Sequence, residues 1–256
     1  MAKKKNTRQY YTVDERIRRV WDAENIKDLM ARRSFYIAND ERREELNKLW
    51  VAEPRHRKSA SLGSNWGYYV GMDDISNYYV VRHDQKMKDA LRAYCEKHPG
   101  VENNEFNQGY GCYFCHPMST PLVIISGDGE TAKGMWYSIG SECIAAGEDE
   151  ADCRWYNERV AADFVKEDGQ WKIWHLVVAN DLCVKTGENV DDMPSRREPG
   201  TYLPELEFKA GEPTVDMLTH NSIMNWSDGY PPEPYDYFRF DEEDSYGPMG
   251  HPNYEG

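Results

Sequence analysis

The hydrophobic pattern of the chain changes from helical to extended near Gly100, and this change limits the choice of fold most. Before Gly100 the apolar residues recur at spacings of three and four, as on one face of a helix. After it, four stretches separated by turns have the length and composition of β-strands: residues 121–126, 131–144, 155–167 and 170–178. Asp168-Gly169, between the last two, is a strong hairpin signal. Helices followed by an antiparallel meander predict an α+β domain, in which the helices cover one face of a curved sheet.

Four helices are predicted ahead of the sheet. The first spans residues 25–39, with Asn25 as its N-cap. The second is short and has its apolar residues on one side: Leu46, Leu49 and Trp50. The third begins at Gly71-Met72-Asp73, with Asp73 as the cap, and the fourth spans residues 84–98.

The last predicted strand contains His175. Alternation places this histidine on one face together with Trp171, Ile173 and Val177. Whether that face points into the domain or outward is left open by the sequence, so His175 is a candidate for either environment.

Residues 191–256 differ in composition from the rest of the chain. They hold nine of the 13 prolines, and 15 acidic against 4 basic residues, together with many tyrosines. Three units are therefore predicted: a basic N-terminal arm at residues 1–14, a domain with a central pocket at residues 15–190, and an acidic, Pro- and Tyr-rich C-terminal extension at residues 191–256. The aromatic content predicts that the extension lies along the core or along a neighbouring subunit.

The charge and the hydropathy of the chain exclude several classes of partner. A net charge of −14 argues against general affinity for nucleic acid or for anionic membranes. No apolar run approaches the ~18 residues of a membrane span, and the N-terminal segment lacks the apolar stretch of a signal peptide. We therefore expect a soluble, cytoplasmic protein whose six cysteines are free thiols.

Two metal-related motifs are present, and neither has the context that its metal group needs. Cys112-Tyr113-Phe114-Cys115-His116 spells the attachment motif of c-type haem, but attachment needs export and no export signal is seen. A zinc site at Cys112 and Cys115 lacks a second pair of ligands with suitable spacing. We expect no cofactor and no metal.

Four strings, in this order along the chain, resemble the SnoaL-like branch of the nuclear transport factor 2-like superfamily, the group that includes scytalone dehydratase and bile acid 7α-dehydratase. The strings are IKDLMARRSFYIANDERREELNKLW, YYVGMDDISNYY, HPMSTPLVIISGDGETAKGMW and DFVKEDGQWKIWHL. The resemblance covers residues 15–182. It implies a cone-shaped α+β barrel, in which a strongly curved antiparallel sheet and the N-terminal helices enclose a pocket. It also implies a homo-oligomer, commonly a dimer or a trimer.

The resemblance also implies an acid/base site. In the dehydratases that the chain resembles, a His and an Asp form the acid/base pair, and Tyr hydroxyls hold the substrate carbonyl or a water. His116 matches the family histidine, but the family aspartate aligns with Asn39, whose amide cannot accept a proton as a carboxylate does. Either Asp40 takes the role through a one-residue shift, or His116 works with tyrosines, or the acid/base chemistry is lost. Trp136 stands where scytalone dehydratase has a second pocket histidine.

Enolisation next to a carbonyl needs a base, a donor for the enolate oxygen and an acid for the leaving group. One imidazole can serve as base and acid, because its ordinary pKa of about 6.5 lies near working pH. The catalytic candidates are His116, Asp40 and Tyr36. The candidates for substrate binding are Asn39, Trp66, Tyr68, Tyr69, Tyr78, Trp136 and His175.

The sequence hypothesis is a cofactor-independent lyase or isomerase of the dehydratase type. Its substrate is a hydroxylated cyclic or aromatic small molecule, held in an aromatic-lined pocket. A protein that binds such a ligand without turning it over is the first alternative, and the Asn39 departure favours it. The second is an assembly protein that uses its aromatic extension to bind a partner.

Overall fold

The computed structural model describes residues 11–64, 67–145, 151–188, 215–216 and 245–247. Within these ranges, N-terminal helices pack against one face of a curved, unclosed sheet. This architecture confirms the predicted α+β class. No helix in the described ranges is both long and apolar enough to cross a membrane.

The first helix, α1, spans Val13–Ala38 and is longer than predicted. It begins with a capping box, in which the Thr12 hydroxyl accepts from the Glu15 amide and the Glu15 carboxylate accepts from the Thr12 amide. The predicted start at Asn25 is therefore wrong. The burial of apolar side chains begins only at Ile26, so the first half of α1 has no inward stripe to mark it. Its apolar side chains are exposed: Val13, Ile17, Val20 and Trp21.

Two shorter helices follow, α2 at Arg42–Leu49 and α3 at Pro54–Arg57. The third and fourth predicted helices form one continuous helical run. It consists of α4 (Met72–Ser76), a π-helical turn (Asn77–Val81) and α5 (Arg82–Lys97). π-turns inside helices occur often at functional sites, because the extra residue redirects side chains.

The start of α4 differs from the prediction. Gly71 is its N-cap, with a φ of 90° that favours glycine, and Asp73 lies in the first turn without capping the helix. The predicted Asp73 cap is wrong, because α4 begins at Met72 and its N-cap is Gly71, two residues before Asp73.

In the described part of the chain eight strands form one sheet: β1 (Ser61–Ser64), β2 (Gly67–Val70), β3 (Cys112–Cys115), β4 (Ser119–Ile125), β5 (Thr131–Ile144), β6 (Asp152–Glu167), β7 (Gln170–Lys185) and β8 (Val215–Asp216). Their order is β3-β5-β6-β7-β1-β2-β8, and β4 also pairs with β5. The meander from β4 to β7 is antiparallel as predicted, whereas β1 joins β7 in parallel. The β6–β7 hairpin turns at Asp168-Gly169, and both residues have positive φ. Both of these strands are longer than predicted.

A β-bulge in β7 changes which side chains share a face. Asp163 of β6 pairs with His175, but the next residue, Phe164, pairs with Ile173, so that Trp174 is left over. Ile173 therefore packs in the main core, while His175 lies on the opposite face of the sheet. The prediction that Trp171, Ile173, His175 and Val177 share one face is therefore wrong. Trp171 and Ile173 pack in the main core, whereas His175 and Val177 lie on the outer face.

The inner face of the sheet packs against the helices and carries Trp136 and Val160. The outer face carries Met135 and Ala161 and is partly covered by residues 245–247. Strand β8 pairs with β2 at one edge of the sheet. The predicted extension thus contacts the core at both places where the structure describes it.

Candidate active site

A cavity of 1160 Å³ opens between the helices and the inner face of the sheet. Its walls come from the ends of α1 and α2, from the π-turn and α5, and from β1, β5, β6 and β7. Two histidines on different elements, His83 and His116, line this cavity. Each of them is bonded to carboxylates, and the two environments differ.

His116 lies where the edge of the sheet is interrupted. Strands β3 and β4 both pair with β5, and His116 is the first residue after β3 ends. Gly140 of β5 lies directly beneath the ring: a Cβ at this position would be 3.0 Å from the His116 Nδ1 and 2.3 Å from the Cys115 carbonyl oxygen. Because Gly140 has no side chain, the imidazole can reach across β5 to β6.

The His116 ring is held between two glutamates. Its Nδ1 lies 2.9 Å from the Glu158 carboxylate on β6, and its Nε2 lies 3.0 Å from the Glu142 carboxylate on β5. Burial alone would lower the pKa of His116, but the hydrogen bonds to Glu142 and Glu158 outweigh it and raise the pKa to about 9. Burial would raise the pKa of Glu142, yet His116, Lys86 and Arg42 bring it down to about 2. At neutral pH the imidazole is therefore a cation that donates from both nitrogens.

Asp40 does not bond to His116, the partner that the sequence hypothesis offered. Asp40 sits in the turn between α1 and α2 with a φ of 60°, a left-handed conformation that Asp tolerates. Its carboxylate instead makes a hydrogen bond to the Nε2 of His83.

His83 carries the opposite protonation state from His116. Burial and the nearby charge of Arg42 lower the pKa of His83, and the hydrogen bond to Asp40 offsets this only in part. The ring is 8% exposed and packs edge-on against Phe114, at 5.5 Å between centroids. At neutral pH it is therefore a neutral imidazole oriented by a carboxylate, an arrangement that suits a general base.

His83 was not among the residues singled out in the sequence. A signal for it existed, because it follows Tyr79 by four positions and so lies on the same face of a continuous helix. That spacing was hidden by the division of residues 71–98 into two predicted helices. The sequence could not pair Asp40 with His83 either, since 43 positions separate the two residues.

The tyrosine candidates separate into different environments. Tyr78, in the π-turn, lines the cavity, and it stacks on Tyr69 at 3.8 Å between ring centroids. Tyr69 itself is part of the main core, and Tyr68 packs on the outer face of the sheet. Burial raises the pKa of Tyr78, so that its phenol stays protonated and can donate.

Three further candidates do not line the cavity. Tyr36 is half-buried against the main core, and Asn39 is exposed at the C-cap of α1. Trp136 is buried in the core against Phe164, at 6.0 Å between centroids. Trp66 lies outside the described residues.

His175 belongs to a second buried polar cluster, on the outer face of the sheet. Its Nδ1 lies 2.8 Å from the carboxylate of Asp163, which also accepts from the Lys133 ammonium at 2.8 Å. The amide of Tyr246, from the C-terminal extension, donates to the same carboxylate at 2.8 Å. The bulge in β7 thus places His175 in a cluster that joins the extension to the sheet, on the side of the sheet opposite the cavity.

One group of side chains in the described ranges has the spacing of a metal site: Glu53, His56 and Glu167. The Glu167 carboxylate, however, already accepts from the backbone amides of Ala52 and Glu53 and contacts the His56 Nδ1 at 2.7 Å. These hydrogen bonds hold the start of α3 against the end of β6, which accounts for the close approach of the three side chains.

The protonation of His116 can be tested directly. We expect Glu142→Gln to lower the pKa of His116 by about 1–3 units, since it removes an opposite charge at hydrogen-bond distance. Imidazole ¹⁵N chemical shifts followed over pH measure the change. Glu130→Gln, at an exposed site, is the control and should leave the titration unaltered.

The same protonation predicts how stability depends on pH. The folded pKa of His116, about 9, lies above its unfolded value, so the stabilisation is complete below the unfolded pKa and is lost as the pH rises through about 9. This loss should be smaller in Glu142→Gln. An unaltered His116 titration in that variant would contradict the assigned contact.

Comparison with known proteins gives a family and several weaker structural likenesses. A sequence model described as a SnoaL-like domain matches residues 18–177, from α1 into β7, and so includes both histidines of the cavity. No curated protein matches the chain in sequence.

Among solved structures, the chain is similar to hexachlorocyclohexane dehydrochlorinase LinA-type3 from Novosphingobium barchaimii, with 12% identity and a TM-score of 0.45 over 66% of this chain and 93% of that one. It is also similar to an NTF2-like protein with a cystatin-like fold from Novosphingobium aromaticivorans, with 13% identity and a TM-score of 0.41 over 69% and 92% of the chains. The protein Aln2 from a Streptomyces species is 12% identical, with a TM-score of 0.39 over 68% and 95%.

Proposed function

Because the chain belongs to the SnoaL-like domain family, we propose that it is a cofactor-independent lyase or isomerase that enolises a hydroxylated cyclic or aromatic small molecule. The observation that carries the proposal is the pair of histidines in one cavity. His83 is bonded to Asp40, and His116 is bonded between Glu142 and Glu158. Two titratable groups whose environments move their pKa values apart are suited to act as base and acid.

The roles follow from the protonation states. The neutral His83 imidazole takes the proton from the carbon next to the substrate carbonyl, and Asp40 stabilises the imidazolium that forms. The electron pair of the broken C–H bond passes into the enolate. The protonated phenol of Tyr78 is the candidate donor for the enolate oxygen.

His116 completes the reaction as the acid. It donates a proton to the hydroxyl oxygen on the adjacent carbon as the C–O bond breaks, so that water leaves and a conjugated double bond forms. The Nε2 side is the more open one, because the Glu142 side chain is 19% exposed and the Glu158 side chain 7%. In an isomerisation His116 instead donates its proton to a carbon of the enolate other than the one that lost a proton.

Solvent exchange tests the proposal without knowledge of the true substrate. Cyclic ketones with and without a β-hydroxyl group are incubated with the protein in D₂O, and ¹H NMR follows the loss of the α-proton signal and the appearance of vinyl protons. We expect catalysed exchange for at least one aryl-fused ketone. Exchange no faster than that of the double variant His83→Gln/His116→Gln, for every member of the panel, would rule out the proposal.

The rate of dehydration should depend on pH in a bell shape. His83 must be neutral, so activity rises with pH through its lowered pKa, below about 6.5. His116 must be protonated, so activity falls as the pH rises through about 9. Rates measured at intervals of about one pH unit, from well below the first limb to well above the second, check both limbs. A profile with a single limb would show that one of the histidines does not have its proposed role.

A second candidate, a binding protein without turnover, is favoured by one specific observation. Both nitrogens of His116 already have carboxylate partners, which can hold the ring in a purely structural role. A ligand that binds and is recovered with its α-protons intact after long incubation in D₂O would support this candidate.

A further inference from the structure

The cavity reverses the charge balance of the chain. The whole sequence has 45 acidic and 31 basic residues, whereas the described residues that line the cavity include seven Arg or Lys and five Asp or Glu. His116 adds a further positive charge when it is protonated. A protein with a net charge of −14 thus lines this cavity with an excess of cations.

Most of the charged lining residues are neutralised by neighbours. Each of three arginines has a carboxylate at ion-pair distance: Arg33 with Glu45 at 3.2 Å, Arg43 with Asp84 at 3.0 Å, and Arg154 with Asp152 at 2.8 Å. Glu142 and Glu158 are bonded to the His116 ring.

Arg42 is held at the cavity wall by aromatic rings. Its guanidinium carbon lies 4.7 Å from the centroid of the Tyr79 ring and 5.7 Å from that of Phe114. Its Nε is buried and has no hydrogen-bond partner. In the described ranges Arg42 forms no ion pair with a carboxylate, so its orientation is fixed while its charge remains available.

Lys86 is a further cation of the cavity lining. It is exposed at the mouth of the cavity, one helical turn beyond His83, and within the part of the chain that the structure covers it has no carboxylate at ion-pair distance. Partial burial lowers the pKa of Lys86; Arg42 also lowers it, and Glu142 opposes the shift. The two lining cations Arg42 and Lys86 therefore have no carboxylate of the described chain at ion-pair distance to balance their charge.

We propose that the cavity binds a substrate that carries an anionic group, most simply a carboxylate, which Arg42 and Lys86 hold while the ring system lies towards Tyr78. This inference names the substrate class and in that respect rests on the proposed function. The anion site itself depends only on the geometry. Arg42 bonds an anion through its planar fork, and Lys86 does so as a point charge at the entrance.

Two dyes with the same ring system and different charge provide the test. 8-Anilinonaphthalene-1-sulfonate is an anion, and N-phenyl-1-naphthylamine is its neutral counterpart; both fluoresce on binding to apolar cavities. We expect the anion to bind the full-length protein about tenfold more tightly, or better, because charge-assisted hydrogen bonds are strong. This preference should shrink as salt screens the cations.

The variants decide whether Arg42 and Lys86 are responsible. Arg42→Gln/Lys86→Met should remove the preference for the anionic dye and leave the affinity for the neutral dye within about twofold. The control is Arg32→Gln, which removes an exposed cation paired with Asp28 on α1; neither residue lines this cavity. It should bind both dyes as the wild type does.

The two proposals can fail separately, because dye binding requires no turnover. Equal affinity of the wild type for the two dyes overturns the anion site, and so does unaltered preference in the double variant. Absence of saturable binding both by the anionic dye and by 2-naphthoate overturns it as well. Anion preference without any α-proton exchange leaves the anion site intact and removes the proposed catalysis.

Discussion

His83→Gln is expected to lower the rate of α-proton exchange by about 10²–10⁴-fold, and His116→Gln to lower the rate of dehydration by a similar factor, the usual contribution of a positioned base or acid. His83→Gln removes the proton acceptor, and the glutamine amide can still donate to Asp40. His116→Gln removes the proton donor. The measurements are the initial rates of α-proton exchange and of vinyl-proton formation in D₂O, with the β-hydroxy ketone that the wild type converts fastest.

The two variants should also alter the pH profile in different ways. Without His83 the low-pH limb should disappear, and without His116 the limb near pH 9 should disappear. His98→Gln is the matched control, because His98 is an exposed histidine at the end of α5. The proposed roles would be wrong if His83→Gln exchanged α-protons, or His116→Gln formed vinyl protons, within a few-fold of the wild-type rate while circular dichroism showed an intact fold.

Asp163→Asn is expected to destabilise the protein by about 3–5 kcal/mol, the usual result of removing one partner from a buried ion pair. Lys133 is 1% exposed and Asp163 is fully buried, so the substitution leaves an ammonium in the sheet without its counter-charge. Burial would raise the pKa of Asp163, but Lys133 and His175 outweigh it and lower the pKa. Urea unfolding followed by tryptophan fluorescence measures the loss.

Asp181→Asn provides the comparison for this prediction. Asp181 also pairs with a cation across adjacent strands, Arg159 at 2.9 Å, but both side chains are partly exposed. Removing it should cost about 1 kcal/mol or less. Similar losses in the two variants would show that burial of the Lys133–Asp163 pair does not determine its contribution.

The Asp163 variant should also loosen the C-terminal extension. The Tyr246 amide donates to the Asp163 carboxylate, and the Lys133 ammonium lies 5.0 Å from the centre of the Tyr246 ring. Limited proteolysis should therefore remove the extension from Asp163→Asn faster than from Asp181→Asn. Equal cleavage rates would contradict the assignment of this cluster as the attachment point.

Much of the fold could be predicted because its signals are local. The Asp168-Gly169 hairpin was predictable from two residues that tolerate positive φ, and α5 from a regular apolar stripe that ends at His98. His116 was singled out through its position before a strand within a matching string, and the structure places it in the cavity. Such features depend on the residues within one turn or one strand.

Features that depend on distant parts of the chain were not predictable. The bulge at Trp174 appears only in the pairing of β6 with β7, and it moves His175 to the outer face. The Asp40–His83 and His116–Glu158 contacts join residues 43 and 42 positions apart. The sequence by itself determined the fold class, because periodicity and turn chemistry are local properties, and it singled out His116 as a candidate through a string that resembles the family. Only the tertiary structure decided which carboxylate meets which imidazole, and therefore which histidine is charged, because burial and charge pairing arise when separate elements pack together.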